Sequence, residues 1–126
     1  MFKFKKILSE ELCNSNPDAI VVFGDNLIGR GTAGQAIIRY CSNSYGVPTK
    51  RLPSMATGSF FSDTEEEYNT VRRHLVYLWR SHLAGKTIIL PTNMLGSGLA
   101  KLQNSPRIWE LMNNFYSQCK KHSKGQ

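Results

Sequence analysis

The chain has 126 residues, enough for one hydrophobic core, which excludes a second independently folding domain. Its composition, 40% hydrophobic and 20% charged, is ordinary for a folded protein and excludes general disorder. With 16 Lys and Arg against 9 Asp and Glu, the net charge of +7 favours polyanionic partners, either nucleic acids or small nucleotides with two or more phosphates. Charge alone does not choose between them.

Cysteine usage and hydropathy predict the compartment. Cys13, Cys41 and Cys119 are far apart and match neither a metal-binding nor a disulfide pattern, which indicates a reducing environment. The N-terminus is too short and too charged for a signal peptide, and no apolar run reaches membrane-spanning length. We therefore expect a cytoplasmic protein without a membrane partner, a metal or a cofactor.

The first half of the chain predicts two parallel strands and a glycine-rich loop. Phe2 and Phe4 alternate with lysines, as in an edge strand, and a buried strand begins at Ile20 after a connection long enough for a crossover. Gly24-Asp25-Asn26 ends that strand, and a loop with Gly29, Gly31 and Gly34 leads into a helix expected over residues 32–42. In this order the N–H groups of the loop and of the first helical turn suit a phosphate.

The second half of the chain repeats the strand-and-loop order. Its expected elements are an extended segment over residues 49–59, helices over 64–84 and 106–120, and a strand over 86–90. Gly96-Ser97-Gly98 follows that strand as the first loop follows its own. Since ligands of open α/β sheets lie beyond the carboxyl ends of strands, the two loops are expected to flank one ligand. Residues 1–120 would form the domain and residues 121–126 a basic tail.

Residues 29–34 also match the dinucleotide-binding pattern G-x-G-x-x-G, but their context is wrong for a Rossmann unit. Residues 24–28 separate the strand from the first glycine, and Thr49-Lys50-Arg51 stands in the region where an acidic residue is needed. Gly85-Lys86-Thr87 resembles the end of a Walker A loop, yet Arg80 occupies the place of its first glycine. Both motifs are therefore rejected.

Asn26, the loop at 29–34 and the second loop after Leu90-Pro91 together resemble a macro domain, the ADP-ribose-binding module. The resemblance implies a single three-layer α/β domain whose mixed, mostly parallel sheet carries helices on both faces. It also implies that Asn26 faces the distal ribose while the two loops hold the diphosphate. The implied ligand-binding residues are Gly24, Asn26, Gly29, Arg30, Gly31, Thr32, Ala33, Gly34, Gln35, Pro91, Leu95, Gly96, Ser97, Gly98 and Leu99.

Within macro domains, the second loop is most similar to the branch of the terminal ADP-ribose protein glycohydrolase and the ADP-ribose phosphate phosphatases. Thr49-Lys50-Arg51 resembles a Thr-Lys-Lys-Arg-like segment of that glycohydrolase group, which implies that Lys50 lies where an attacking amine does, a role that requires burial or a cationic neighbour. Asp25 is the second candidate catalytic residue. Ala100, however, stands where the branch has its acid/base aspartate, and residues 7–10 lack its adenine-recognising Gly-Asp pair.

The expected function is binding of ADP-ribose or a related ADP-ribosyl, NAD-derived or cyclic nucleotide through the two loops. The protein would sequester this ligand or hydrolyse it weakly. One alternative is a basic nucleic-acid-binding protein, although the aromatic residues needed for a stacking platform are sparse. Another is a protein-interaction module on a degenerate macro scaffold. Glycines that only permit turns, and Asn26 as a turn residue, would explain the same pattern structurally. The sequence does not determine the oligomeric state.

Overall fold

The computed structural model describes residues 1–123, and these form an α/β domain, as expected. The strands and α-helices are β1 (Phe2–Lys5), α1 (Glu10–Ser15), β2 (Ile20–Asn26), β3 (Ser44–Lys50), α2 (Glu65–Leu83), β4 (Ile88–Pro91) and α3 (Pro106–Lys121). Short 3-10 turns occupy Gly34–Ile38, Thr57–Ser59 and Leu102–Asn104. The predicted tail begins within α3 at Lys121, and its residues 124–126 lie outside the described part.

The four strands form one sheet in the order β1-β4-β2-β3. Every pairing between them is parallel, so the described sheet is wholly parallel rather than mixed. β1 is an edge strand, as its alternating lysines predicted. Because the strands run in one direction, their carboxyl ends share one edge of the sheet, and the glycine loops that follow β2 and β4 leave from that edge.

The sheet separates two hydrophobic cores, which gives the three layers. On one face Val22 packs in a cluster with Leu75 of α2 and Met112 of α3. On the other face Val21 and Phe23 pack with Cys13 of α1 and with the 3-10 turn at Gly34–Ile38. This follows from the alternation of side chains along β2, where successive residues point to opposite faces. Helical elements therefore cover both faces of the sheet, as the sequence predicted.

Polar side chains fix the starts of the two long helices. Thr64 and Glu67 form a reciprocal capping box at the start of α2. Asp63, which directly precedes this cap, accepts hydrogen bonds from the N–H groups of Arg107 and Ile108, at 3.0 Å each, and so caps α3. This contact ties the two helices together over a separation that no local sequence pattern reveals.

The helix expected over residues 32–42 is wrong. The structure has only the 3-10 turn at Gly34–Ile38, preceded by glycines with positive φ at Gly29, Gly31 and Gly34. Ile37 and Tyr40, whose spacing from Ala36 would fit one face of such a helix, are exposed. The first loop therefore offers an anion its N–H groups without the dipole of an α-helix.

The extended segment expected over residues 49–59 is misplaced, because the strand β3 occupies Ser44–Lys50 and ends near the start of the expected segment. Gly46 and Pro48 are residue types with low strand propensity, so the sequence around them does not indicate a strand. β3 is an edge strand, however, and proline is tolerated there because its missing N–H can face away from the sheet.

Candidate functional site

A cavity of about 270 Å³ lies at the carboxyl edge of the sheet. The first loop (residues 27–35) and the second loop (residues 92–101) both contribute to its wall, together with the ends of β2 and β3. The lining residues are Gly24, Asp25, Asn26, Arg30, Gly31, Ala33, Gly34, Gln35, Ala36, Thr49, Lys50, Pro53, Gly96, Gly98, Leu99 and Ala100. The fold thus brings the two glycine loops to a single pocket.

Most of the residues expected to bind the ligand or to act in catalysis line this cavity. Those that do not line it are Gly29, Thr32, Pro91, Leu95 and Ser97. Pro91 belongs to β4, and Leu95 is fully buried in the core beneath the second loop. These two residues support the pocket from behind rather than facing it.

Sequence reasoning missed three lining residues, namely Ala36, Thr49 and Pro53, while Ala100 lines the cavity at the position considered for an acid/base aspartate. Thr49 and its neighbour Lys50 both reach the cavity where the pairing of β2 and β3 shifts register after Asp25. Recognition of β3 would have placed Thr49 at the carboxyl end of a strand, where ligands of parallel sheets bind.

An ion pair between Asp25 and Arg39 braces the first loop. The Arg39 guanidinium donates from Nη1 and Nη2 to the two carboxylate oxygens of Asp25, at 3.0 and 2.5 Å. Its Nε donates to the carbonyl of Gly31 at 2.7 Å, and Nη2 also donates to that of Arg30 at 3.1 Å. The hydrogen bond to Asp25 raises the pKa of Arg39, so the guanidinium stays charged. The loop is held to β2 through one side chain.

Asn26 organises the same loop from within. Its Nδ2 donates to the carbonyl of Arg30 at 2.7 Å, while Oδ1 accepts from the N–H groups of Ile28 and Arg30 at 3.1 and 3.4 Å. The Asn26 side chain is buried, and these three hydrogen bonds hold it against the loop. The second N–H of Nδ2 has no hydrogen-bond partner among residues 1–123, and Asn26 lines the cavity.

The two loops carry runs of backbone N–H groups without acceptors. Within the described chain, no hydrogen bond is formed by the N–H of any residue in 31–35 or 98–100. All of these residues except Thr32 line the cavity. Backbone N–H groups are strong donors that need a partner, and concavities rich in them bind anions.

Lys50 is buried at the cavity wall. Its Nζ donates to the carbonyl of Ser54 at 2.8 Å and lies 4.8 Å from the ring centroid of Phe60. Nζ of Lys101 lies 5.5 Å from the same centroid. Burial lowers the pKa of Lys50, and the nearby charge of Lys101 lowers it further. Lys50 therefore has both the burial and the cationic neighbour that an activated amine requires.

The second loop is shaped by a tight glycine and by a tyrosine. Gly96 has φ of +84°, and a Cβ placed there would lie 2.7 Å from Cβ of Leu102. The hydroxyl of Tyr116 donates to the carbonyl of Pro91 at 2.9 Å and accepts from the N–H of Leu95 at 3.3 Å. These contacts fix the loop on the core, so the N–H groups at 98–100 sit on a supported turn.

Two further observations concern metal binding and membrane insertion. In the part of the chain that the structure describes, no group of three or more His, Cys, Asp or Glu side chains is placed to hold a metal ion. None of the helices between residues 1 and 123 is both long and apolar enough to cross a membrane.

Fold and pocket define an α/β protein with a parallel sheet and a two-loop cavity at its carboxyl edge. Comparison with known families adds that residues 3–115 match the model of a family of unknown function, DUF7831. Since the match covers most of the sequence, the chain belongs to this family. No curated protein and no solved structure matches the chain.

Proposed function

We propose that this protein binds a nucleotide diphosphate of the ADP-ribose type, with the diphosphate held between the two glycine loops. The observation that carries the proposal is that two runs of residues whose N–H groups have no acceptor, at 31–35 and 98–100, line one cavity, with Thr32 as the exception. A diphosphate presents several anionic oxygens and can accept from both runs at once.

The charges around the cavity support the same ligand class. Arg30 and Lys101 are exposed beside it, and Lys50 lines its wall. Asp25 is the one carboxylate among the described lining residues, and Arg39 neutralises it. The net effect is a cavity lined by donors and cations, which favours an anion with more than one charge.

The macro-domain resemblance names the nucleotide within this class. It predicts that the distal ribose lies near Asn26, whose remaining Nδ2 hydrogen can donate to a sugar hydroxyl. Sequestration is the form of activity we propose, with slow hydrolysis through Lys50 as the enzymatic form.

Calorimetric titration with ADP-ribose tests the proposal on the wild-type protein and on two matched glycine variants. Gly98 and Gly58 both have open space where a Cβ would stand, but only Gly98 lines the cavity. Gly98→Ala places a methyl group beside the phosphate donors and should weaken binding by about tenfold, the equivalent of about one hydrogen bond. Gly58→Ala should bind as the wild type does.

Absence of heat with ADP-ribose at millimolar concentration would overturn the proposal. Equal affinities of the Gly98 and Gly58 variants would place the ligand elsewhere. Binding that requires a polymer and falls steeply with salt would support the nucleic-acid alternative instead.

A further inference from the structure

The cavity is small and contains no aromatic ring. Its volume of about 270 Å³ falls below the range of about 300 to 1,000 Å³ typical of pockets that enclose a whole small molecule. No Phe, Tyr, Trp or His is among the described residues that line it. A nucleobase is usually recognised by stacking on such rings, so this cavity has room and chemistry for only part of a nucleotide.

The side-chain amide and carboxylate oxygens of the wall each already accept a hydrogen bond within the protein. Three lining side chains have carbonyl or carboxylate oxygens, and each is used internally. Asp25 accepts from Arg39, Oδ1 of Asn26 accepts from two loop N–H groups, and Oε1 of Gln35 accepts from the N–H of Gly24 at 2.9 Å. An exocyclic amine of a base is a donor and would have to share oxygens that already accept a hydrogen bond, whereas phosphate oxygens are acceptors and suit the free N–H groups of the two loops.

Outside the donors, the wall presents small apolar groups. Leu99 lines the cavity and is 61% exposed, and Pro53 and Ala33 also line it. Contacts of this kind exclude water from a neighbouring ring without distinguishing one base from another, because they form no hydrogen bonds.

From these observations we infer that the site recognises the pentose 5-diphosphate part of its ligand and leaves the base outside. The ligand class is therefore sugar diphosphates and their nucleotide esters, whatever base they carry. This inference rests on the proposed function, since it uses the same two loops.

Calorimetric titration with four probes separates the parts of the ligand. ADP-ribose, inosine diphosphate ribose and ribose 5-diphosphate share the pentose diphosphate, while AMP has the base and one phosphate. We expect the first three to bind within about threefold of one another, since a site that read the adenine amine would reject hypoxanthine far more strongly. AMP should bind at least about tenfold more weakly.

A matched pair of lysine variants adds a check on the diphosphate. Lys101 belongs to the second loop, whereas Lys86 precedes β4 at the opposite edge of the sheet. Lys101→Ala should weaken the binding of ADP-ribose and of ribose 5-diphosphate by the same factor. Lys86→Ala should change the affinity for neither ligand.

The possible failures are distinguishable. If inosine diphosphate ribose binds about tenfold more weakly than ADP-ribose, or if AMP competes as well as ribose 5-diphosphate, the base is read and the inference is overturned while the proposed function stands. If none of the four probes binds, the proposed function falls and the inference falls with it.

Discussion

Replacing Arg39 with methionine should loosen the first loop, because Met fills similar space without donating hydrogen bonds. The substitution removes both bonds to Asp25 and the bonds to the carbonyls of Gly31 and Arg30. It also removes the guanidinium that lies 5.3 Å from the ring centroid of Phe23. The carboxylate of Asp25 then stays in a largely buried position without its cation.

The magnitude follows from the exposure of the pair. The side chains of Arg39 and Asp25 are 10% and 13% exposed, so the pair is close to a buried one. Removing one partner of a buried pair costs about 3 to 5 kcal/mol, whereas an exposed pair contributes at most about 1 kcal/mol. With the remaining exposure we expect a loss of about 3 kcal/mol. For a domain of this length that lowers the melting temperature by about 10 °C.

Thermal unfolding followed by circular dichroism measures this loss, with Arg107→Met as the control. Arg107 pairs with Glu65, but those side chains are 52% and 68% exposed, so the control should lose at most about 1 kcal/mol. Adding Asp25→Asn to the Arg39 variant should restore part of the stability, because it removes the unpaired charge. A melting temperature for Arg39→Met equal to that of the control, or strictly additive effects with Asp25→Asn, would refute the brace.

Two further predictions concern the second loop and the response to acid. Gly96→Ala should lower the free energy of unfolding by about 3 kcal/mol, because it adds a clash with Leu102 to the cost of positive φ. The control is Gly85→Ala, where φ is +96° but the space is open, and it should cost only about 1 to 2 kcal/mol. Equal melting temperatures for the two variants would contradict the clash. Burial lowers the pKa of His74, whose Nδ1 lies 2.6 Å from the hydroxyl of Tyr45. Below pH 6.5, its ordinary pKa, the unfolded chain binds more protons, so stability should fall on acidification. Urea unfolding between about pH 8 and about pH 5 should show a smaller loss for His74→Gln, and an unchanged slope would argue against this role.

The long helices and the central strands were predictable because each has a continuous pattern. The helices expected over 64–84 and 106–120 correspond to α2 at Glu65–Leu83 and α3 at Pro106–Lys121. Both have an apolar stripe, and α2 also has a local capping box. In such segments local propensity and burial agree, so the sequence alone suffices.

The first loop was not predictable because its conformation depends on a distant partner. Apolar residues at 33, 36 and 37 fit a helix as well as a short 3-10 turn. The choice is made by three glycines at positive φ and by the hydrogen bonds that Arg39 forms with Gly31 and Asp25. The sequence therefore predicted the position of the loop but not its conformation. It also suggested a catalytic role for Asp25 without revealing the ion pair with Arg39.

The same ion pair bears on whether the pocket holds its ligand or cleaves it. Hydrolysis needs a group that accepts or donates a proton at the scissile bond, and both oxygens of Asp25 already accept from Arg39. Ala100, the position at which the macro-domain branch that the sequence resembles has an aspartate, lines the cavity and supplies no acid or base. Lys50 has a lowered pKa, yet its Nζ donates to the carbonyl of Ser54, an arrangement that suits a charged ammonium beside a phosphate. The arrangement of these groups provides no free proton-transferring carboxylate, which is why we propose sequestration rather than hydrolysis.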